Sequence, residues 1–192
     1  MKIYFTAAII YKKERGDIYL KIVNFLEKSG NKVVSEHIIN ESIPNILSQD
    51  DAELVKYYRK CLKNISEADL VVVEASFPST IHIGHEISIA LERGKPVILL
   101  YEKGKMPFFL EGLKSDKLLL IEYTKESLVK DLKAAIEVAK DQQDVRFNFF
   151  VTPRILAYLD WVSKKKRIPR AVYLRNLIEK DLRKNREYHK EA

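Results

Sequence analysis

The chain has 192 residues, 46% of them hydrophobic, which supports a packed core and excludes a chain that is disordered throughout. It contains no run of 18 apolar residues, which excludes a hydrophobic bilayer span, and its single cysteine, Cys61, excludes an internal disulfide framework or a cysteine metal cluster. Residues 144–192 hold 13 of the 34 Lys and Arg but 6 of the 27 Asp and Glu, so the whole formal excess of +7 sits behind a neutral body. A neutral body with a basic appendage suits a nucleic-acid partner, although a solvated charged tail has the same composition.

In chain order, residues 2–10 (KIYFTAAII) predict a buried strand. This apolar stretch alternates as a strand does and no cleavage site follows it, so it is not read as a secretion signal, and a cytoplasmic protein is expected. Apolar residues at helical spacing over 18–26 predict a helix that Gly30 stops, and residues 32–35 a short strand. A helix over 50–65 carries Leu54, Tyr57, Tyr58, Cys61, Leu62 and Ile65. ADLVVVEAS is a continuous apolar strand of the kind covered on both faces of a parallel sheet. A loop, FPSTIHIG, leads into a helix, HEISIALERG; KPVILLY and KLLLIEY are further strands, and residues 124–140 an amphipathic helix.

Strands alternating with helices predict an α/β fold with a doubly wound, mostly parallel sheet of the Rossmann or flavodoxin-like kind over residues 1–143. Ligands of such sheets bind beyond the carboxyl ends of the strands, which gathers residues 4–10, Glu36, His37 and residues 74–86 around one crevice. Two bland readings stand beside this. Glu74 at a strand end suits neighbouring backbone N–H groups, and Glu86 in a first helical turn suits the helix dipole without any chemistry. His82 and His85 stand three residues apart with no carboxylate or cysteine set, so neither a metal nor a cofactor is expected.

The stretch from Ala68 to Tyr101, together with the opening KIYF, the segment VVSEHI, a Pro-Ser turn and a G-x-E at a helix start, resembles the nucleoside 2-deoxyribosyltransferase superfamily, especially its deoxynucleoside 5′-monophosphate N-glycosidase branch. The likeness covers nearly all of residues 1–125 in the right order. It implies that Glu86 is a carboxylate nucleophile at the sugar C1′ and that Tyr4 is the family's tyrosine near the sugar or base. Ser79 and Thr80 are then the hydroxyls for a 5′-phosphate at a helix N-terminus, and Gly84 allows close approach of the backbone. His85, Glu74, His37 and Ala8 complete the candidate substrate-binding set. The sequence departs from the pattern at Ala7-Ala8, where Gly-Ser or Gly-Pro is usual, at His85, where the family has tyrosine, and in the longer spacing from Ser79 to Glu86. At Lys60-Cys61 it lacks the family aspartate that helps protonate the leaving base or position the sugar. Hydrolase and transferase both remain open.

KDQQD at 140–144 is a polar joint, and the pattern then changes. Residues 144–192 read as one strand, VRFNFFV, a Thr-Pro helix start and two helices broken at Arg-Ile-Pro, which resembles the ribbon-helix-helix family of β-ribbon DNA readers. Alternation puts Phe147, Phe149 and Val151 on a dimer-core face and Arg146, Asn148 and Phe150 on the face toward base edges. The resemblance implies that Arg170 at the second helix start clamps a phosphate, with Lys164, Lys165, Lys166 and Arg167 adding nonspecific attraction. One strand and two helices cannot bury themselves alone, so a homo-oligomer, dimer or tetramer, is expected. The expected partners are a nucleoside or nucleotide and double-stranded DNA, with no membrane. The expected function is cleavage of an N-glycosidic bond in a nucleoside or nucleoside 5′-monophosphate; the alternative is a DNA-binding transcriptional regulator whose α/β domain senses a nucleotide.

Overall fold

The computed structural model describes residues 1–113, 115–141, 150–166 and 168–185. The chain forms two compact units, residues 1–144 and 145–192.

The first unit is built on five strands: β1 (Lys2–Ala7), β2 (Lys32–Val34), β3 (Leu70–Glu74), β4 (Val97–Glu102) and β5 (Leu118–Tyr123). Their order is β2-β1-β3-β4-β5 and every pairing is parallel. This is the flavodoxin-like doubly wound arrangement, with the strand order reversing between β1 and β3. The helices are α1 (Lys12–Lys28), α2 (Glu36–Ile39), α3 (Ile43–Leu47), α4 (Asp51–Glu67), α5 (Ile81–Glu92), α6 (Phe108–Glu111) and α7 (Leu128–Asp141).

The central strands read as unbroken apolar runs because both faces are covered. Every residue of β3 is buried, and Val97, Ile98, Leu99 and Leu100 of β4 have no exposed surface. Side-chain alternation divides the core in two. Ile3, Phe5, Val72, Ile98 and Leu100 pack with α1 and α7, while Tyr4, Val71, Val73 and Leu99 pack with Ile65 of α4 and Ile83 and Ile87 of α5.

Local chemistry fixes the helix ends. Asp50 and Glu53 form a reciprocal capping box on α4, with the Glu53 N–H donating to Asp50 Oδ1 at 2.8 Å. Gly30 and Gly94 take positive φ, 80° and 69°, and stop α1 and α5 in a conformation that suits glycine. Two helices begin earlier than their apolar periodicity suggests. α1 starts at Lys12 and tolerates Gly16, and α5 starts at Ile81 because Thr80, with extended backbone, serves as its N-cap. Gly84 therefore sits inside a helix and not in the loop before it.

In the second unit, α8 (Pro153–Lys166) opens with Pro at its first position, and the Thr152 hydroxyl accepts from the Ile155 N–H at 3.4 Å. α9 (Arg170–Leu182) follows the break at Ile168 and Pro169. Phe150 and Val151, the described end of the expected strand, carry no strand structure. Among the described residues of this unit, Leu159 and Val162 are the buried apolar ones, while Ile155, Leu156, Leu177 and Ile178 stay exposed. No described helix is long and apolar enough to cross a membrane.

Candidate active site at the carboxyl edge of the sheet

Alternation along β1 turns Tyr4 and Thr6 toward the layer of α4 and α5, and both side chains are buried. Glu86 lies in the second turn of α5, on the side that carries Ile83 and Ile87 against the sheet. Its carboxyl group thus faces the Tyr4 and Thr6 hydroxyls. Burial pushes the Glu86 carboxyl up from 4.5 to about 7, and the hydroxyls of Thr6 and Tyr4 pull it part of the way back. Tyr4 Oη, Thr6 Oγ1 and Glu86 Oε2 are all enclosed, yet among the described residues none closes a hydrogen bond of standard geometry. Such unspent polar atoms at one point are what a site that completes its bonds on a substrate holds.

His37 walls this group on one side. Its ring stacks on Tyr4 with centroids 4.7 Å apart and planes at 10°. Desolvation lowers the His37 imidazole to about 4, so it is neutral near pH 7, and its Nε2 is buried without a partner among the described residues. The helix that carries it is tied to α1, because the Lys12 ammonium donates to the Ile39 and Glu41 carbonyls at 2.5 and 2.7 Å. Tyr57 and Cys61, one turn apart on α4, close the remaining side. Burial and the neighbouring Glu86 carboxyl raise the Cys61 thiol, which faces the Tyr4 and Tyr57 hydroxyls.

Thr6 falls within residues 4–10, which the sequence gathers at the crevice, two residues after Tyr4 on the same strand face. Tyr57 carries only the signature of a core-facing helix stripe, and so does Cys61. It is buried, at 6% exposure, but beside the candidate nucleophile. Asp50 is committed to the cap of α4.

Glu74 is placed elsewhere. It lies on the opposite sheet face from Glu86, where its Oε1 accepts from the Tyr123 hydroxyl at 3.0 Å and from the Ser76 N–H and hydroxyl, and Arg15 lies 3.8 Å from its Oε2. Arg15 also donates to the Ser76 and Phe77 carbonyls at 2.7 and 3.2 Å. Glu74 thereby fixes the loop that leads to Ser79. Ala8 is buried and its carbonyl accepts from the Tyr19 hydroxyl at 3.1 Å.

Ser79, Thr80, Gly84 and His85 border a separate groove of about 450 Å³ together with Ser88, Phe77 and residues 107–110. Neither Glu86 nor Tyr4 lines it. Among the described residues Ser79 Oγ is buried without a partner, no side chain caps α5, and a Cβ added at Gly84 meets nothing within 4 Å. His85 leans on α4, with its ring 6.0 Å from that of Tyr58 and its Nε2 3.1 Å from the Tyr58 hydroxyl. Among the described residues no three His, Cys, Asp or Glu side chains gather as metal ligands.

In the second unit, Arg170 is ion-paired with Asp160, and Lys165 and Lys166 lie over the Trp161 and Tyr173 rings at 4.7 and 5.2 Å from the centroids. Phe150 is fully exposed. Arg146, Asn148 and Arg167 lie outside the described residues, as do Phe147 and Phe149.

No family model matches the chain. A protein of Syntrophotalea carbinolica, provisionally named 2′-deoxynucleoside 5′-phosphate N-hydrolase 1, is 35% identical over 105 residues, which cover 54% of this chain and 70% of that protein. A protein of Thermofilum pendens with the same provisional name is 26% identical over 140 residues, 71% of this chain and 91% of the relative. The solved structure of a Clostridium botulinum CMP N-glycosidase superposes with a TM-score of 0.51 at 20% identity, over 69% of this chain and 99% of that one, and shares the fold.

Proposed function

The chain belongs to the nucleoside 2-deoxyribosyltransferase-like superfamily, alongside the 2′-deoxynucleoside 5′-phosphate N-hydrolases, and we propose that its first unit hydrolyses the N-glycosidic bond of a nucleoside 5′-phosphate with Glu86 as nucleophile. The observation that carries this reading is the Glu86 carboxyl enclosed against the Tyr4 and Thr6 hydroxyls at the carboxyl edge of β1.

As the bond from C1′ to the base nitrogen breaks, its electron pair leaves with the base and positive charge develops on C1′. The Glu86 carboxylate meets that charge and forms a glycosyl ester, and the base takes its proton from solvent. Water then opens the ester, which yields the free sugar phosphate and restores Glu86. Tyr4 stays protonated because burial lifts its hydroxyl far above the ordinary range, so it donates to the carboxylate and never competes as a base. Neutral His37, stacked on Tyr4, offers Nε2 to the substrate. The 5′-phosphate falls at Ser79, Thr80 and the N–H groups of the first turn of α5. The test is base release, followed by chromatography, from a panel of nucleosides and their 5′-monophosphates. Release that Glu86→Ala abolishes supports the reading. Absence of release from every member, with nucleotides still raising the melting temperature, replaces it with a nucleotide sensor.

For the second unit we infer a ribbon-helix-helix dimer that binds DNA. The supporting observation is a basic hollow of about 380 Å³ bordered by Asn176 and Lys180 of α9 and by Arg183 and Lys184 just after it. A gel shift on random duplex at low and raised salt tests it: salt-sensitive retardation is expected, and none at low salt removes the inference.

A further inference from the structure

The pocket that encloses Glu86 has a wall of its own on α4. Tyr57 and Cys61 stand four residues apart and so share one face of that helix, and the face looks onto Tyr4 and Glu86. Cys61 is buried and Tyr57 half-buried. The Cys61 thiol faces two hydroxyls at once, that of the buried Tyr4 and that of Tyr57.

A carboxylate nucleophile gains from a donor that stays aimed at it. The Tyr4 hydroxyl faces two acceptors, the Glu86 carboxyl and the Cys61 sulfur, and they are unequal. A carboxylate accepts a strong, charge-assisted hydrogen bond, whereas a thiol is a weak acceptor and a weak donor. The Tyr4 proton therefore goes to Glu86. The lone pairs of Tyr4 Oη are left for the Cys61 S–H, and the Cys61 sulfur accepts from Tyr57. Each link polarises the next, from Tyr57 through Cys61 and Tyr4 to Glu86. The chain is loose before substrate binds, since among the described residues Tyr4 Oη and Glu86 Oε2 close no bond of standard geometry. Contacts of this kind tighten as the reaction complex forms.

A thiol suits this place for a second reason. Burial and the Glu86 carboxyl push it up, so it stays neutral and adds no charge beside the nucleophile. A carboxylate here would repel the Glu86 charge and compete for the Tyr4 proton. The neighbouring groups act at other points. Thr6 reaches Glu86 from β1, and His37 stacks on the Tyr4 ring and leaves its hydroxyl alone. Lys60 acts on Cys61 and His37, Glu36 on His37, and Glu41 on Tyr57.

We propose that Cys61 is a positioning residue, whose thiol, backed by the Tyr57 hydroxyl, turns the Tyr4 hydroxyl so that its proton points at the Glu86 carboxylate. This deepens the reading of Glu86 given above and rests on it.

The experiment follows kcat/KM for base release from nucleoside 5′-monophosphates between pH 5 and 9 in the parent, Cys61→Ala, Cys61→Ser and Tyr57→Phe. Without the thiol Tyr4 bonds Glu86 less well and the carboxyl titrates higher. The acidic limb is expected to move up by about half a pH unit in Cys61→Ala, part of what one hydrogen bond to a charged group supplies. That is about a threefold loss at pH 6 and none at pH 9. Cys61→Ser, which keeps a donor and an acceptor on one atom, should return the limb to its parent position, and Tyr57→Phe should move it up by less than Cys61→Ala. A loss in Cys61→Ala that is equal at every pH, a limb that serine does not restore, or a limb that no variant moves overturns the proposal and leaves Glu86 as the nucleophile. Should Cys61→Ala fail to fold, Tyr57→Phe decides, and a limb at the parent position in that variant overturns the proposal. A parent rate that is flat across this range, or no release at all, removes the reading of Glu86 and the role of Cys61 with it.

Discussion

The His37 ring lies flat on the Tyr4 ring, 4.7 Å between centroids, and Tyr4 in turn faces the Glu86 carboxyl. One aromatic ring thus separates two titratable groups that burial shifts in opposite directions, the imidazole down to about 4 and the carboxyl up to about 7. Their effects on stability oppose each other over nearly the same pH range. The unfolded chain binds more protons than the folded one at His37, so that contribution is lost as pH falls from 6.5 toward about 4. At Glu86 the folded chain binds more protons, so stability is lost as pH rises from 4.5 through about 7.

Each single variant is therefore expected to tilt a pH profile that the pair keeps level. In urea titrations between pH 4.5 and 8, His37→Phe should lose stability as pH rises and Glu86→Gln should gain it. The full swing at Glu86 is on the order of 3 kcal/mol. Parallel profiles for parent and variants would show that the two groups titrate as they do in the unfolded chain.

Activity should follow the carboxylate. A nucleophile must be ionised, so kcat/KM for base release is expected to climb with pH through about 7 and to level off above it. Glu86→Gln should lower release about a thousandfold or more at every pH while melting higher than the parent at pH 8. A rate that is flat from pH 5 to 8 would mean that Glu86 is not the group being titrated.

Glu74 and Glu86 are both glutamates at the carboxyl edge, but different losses are expected from them. Glu74→Ala leaves Arg15, Ser76 and Tyr123 without their buried acceptor and should cost about 3–5 kcal/mol of folding stability. The fraction that stays folded should retain kcat. A kcat loss as large as that of Glu86→Gln in a stably folded Glu74 variant would transfer the chemistry to β3.

Gly84 faces the open groove, with nothing within 4 Å of an added Cβ. In the middle of α5 alanine is also the better helix former, by about 1 kcal/mol. Gly84→Ala is thus expected to melt no lower than the parent but to raise KM for a nucleoside 5′-phosphate several-fold. Steady-state kinetics beside a thermal melt separate the two effects, and an unchanged KM would place the phosphate elsewhere.

Much of this was legible in the sequence by itself. Unbroken apolar runs such as Leu70–Glu74, set between helical repeats, determined a parallel sheet covered on both faces, because such strands bury both sides. The capping box at Asp50 and Glu53 and the stops at Gly30 and Gly94 are local chemistry, readable from a few residues. So was the alternation that puts Tyr4 and Thr6 on a common side of β1. What alternation cannot say is which helices cover that side. The crossover connections decide this: α4 and α5 pass over one face and α1 and α7 over the other. Only the tertiary structure therefore separated Glu86, enclosed with Tyr4, Thr6, Tyr57 and Cys61, from Glu74, bound to Arg15 and Tyr123 across the sheet. Burial then set their chemistry, since the same carboxyl group that pairs with Arg15 on one face is left on the other with hydroxyls alone.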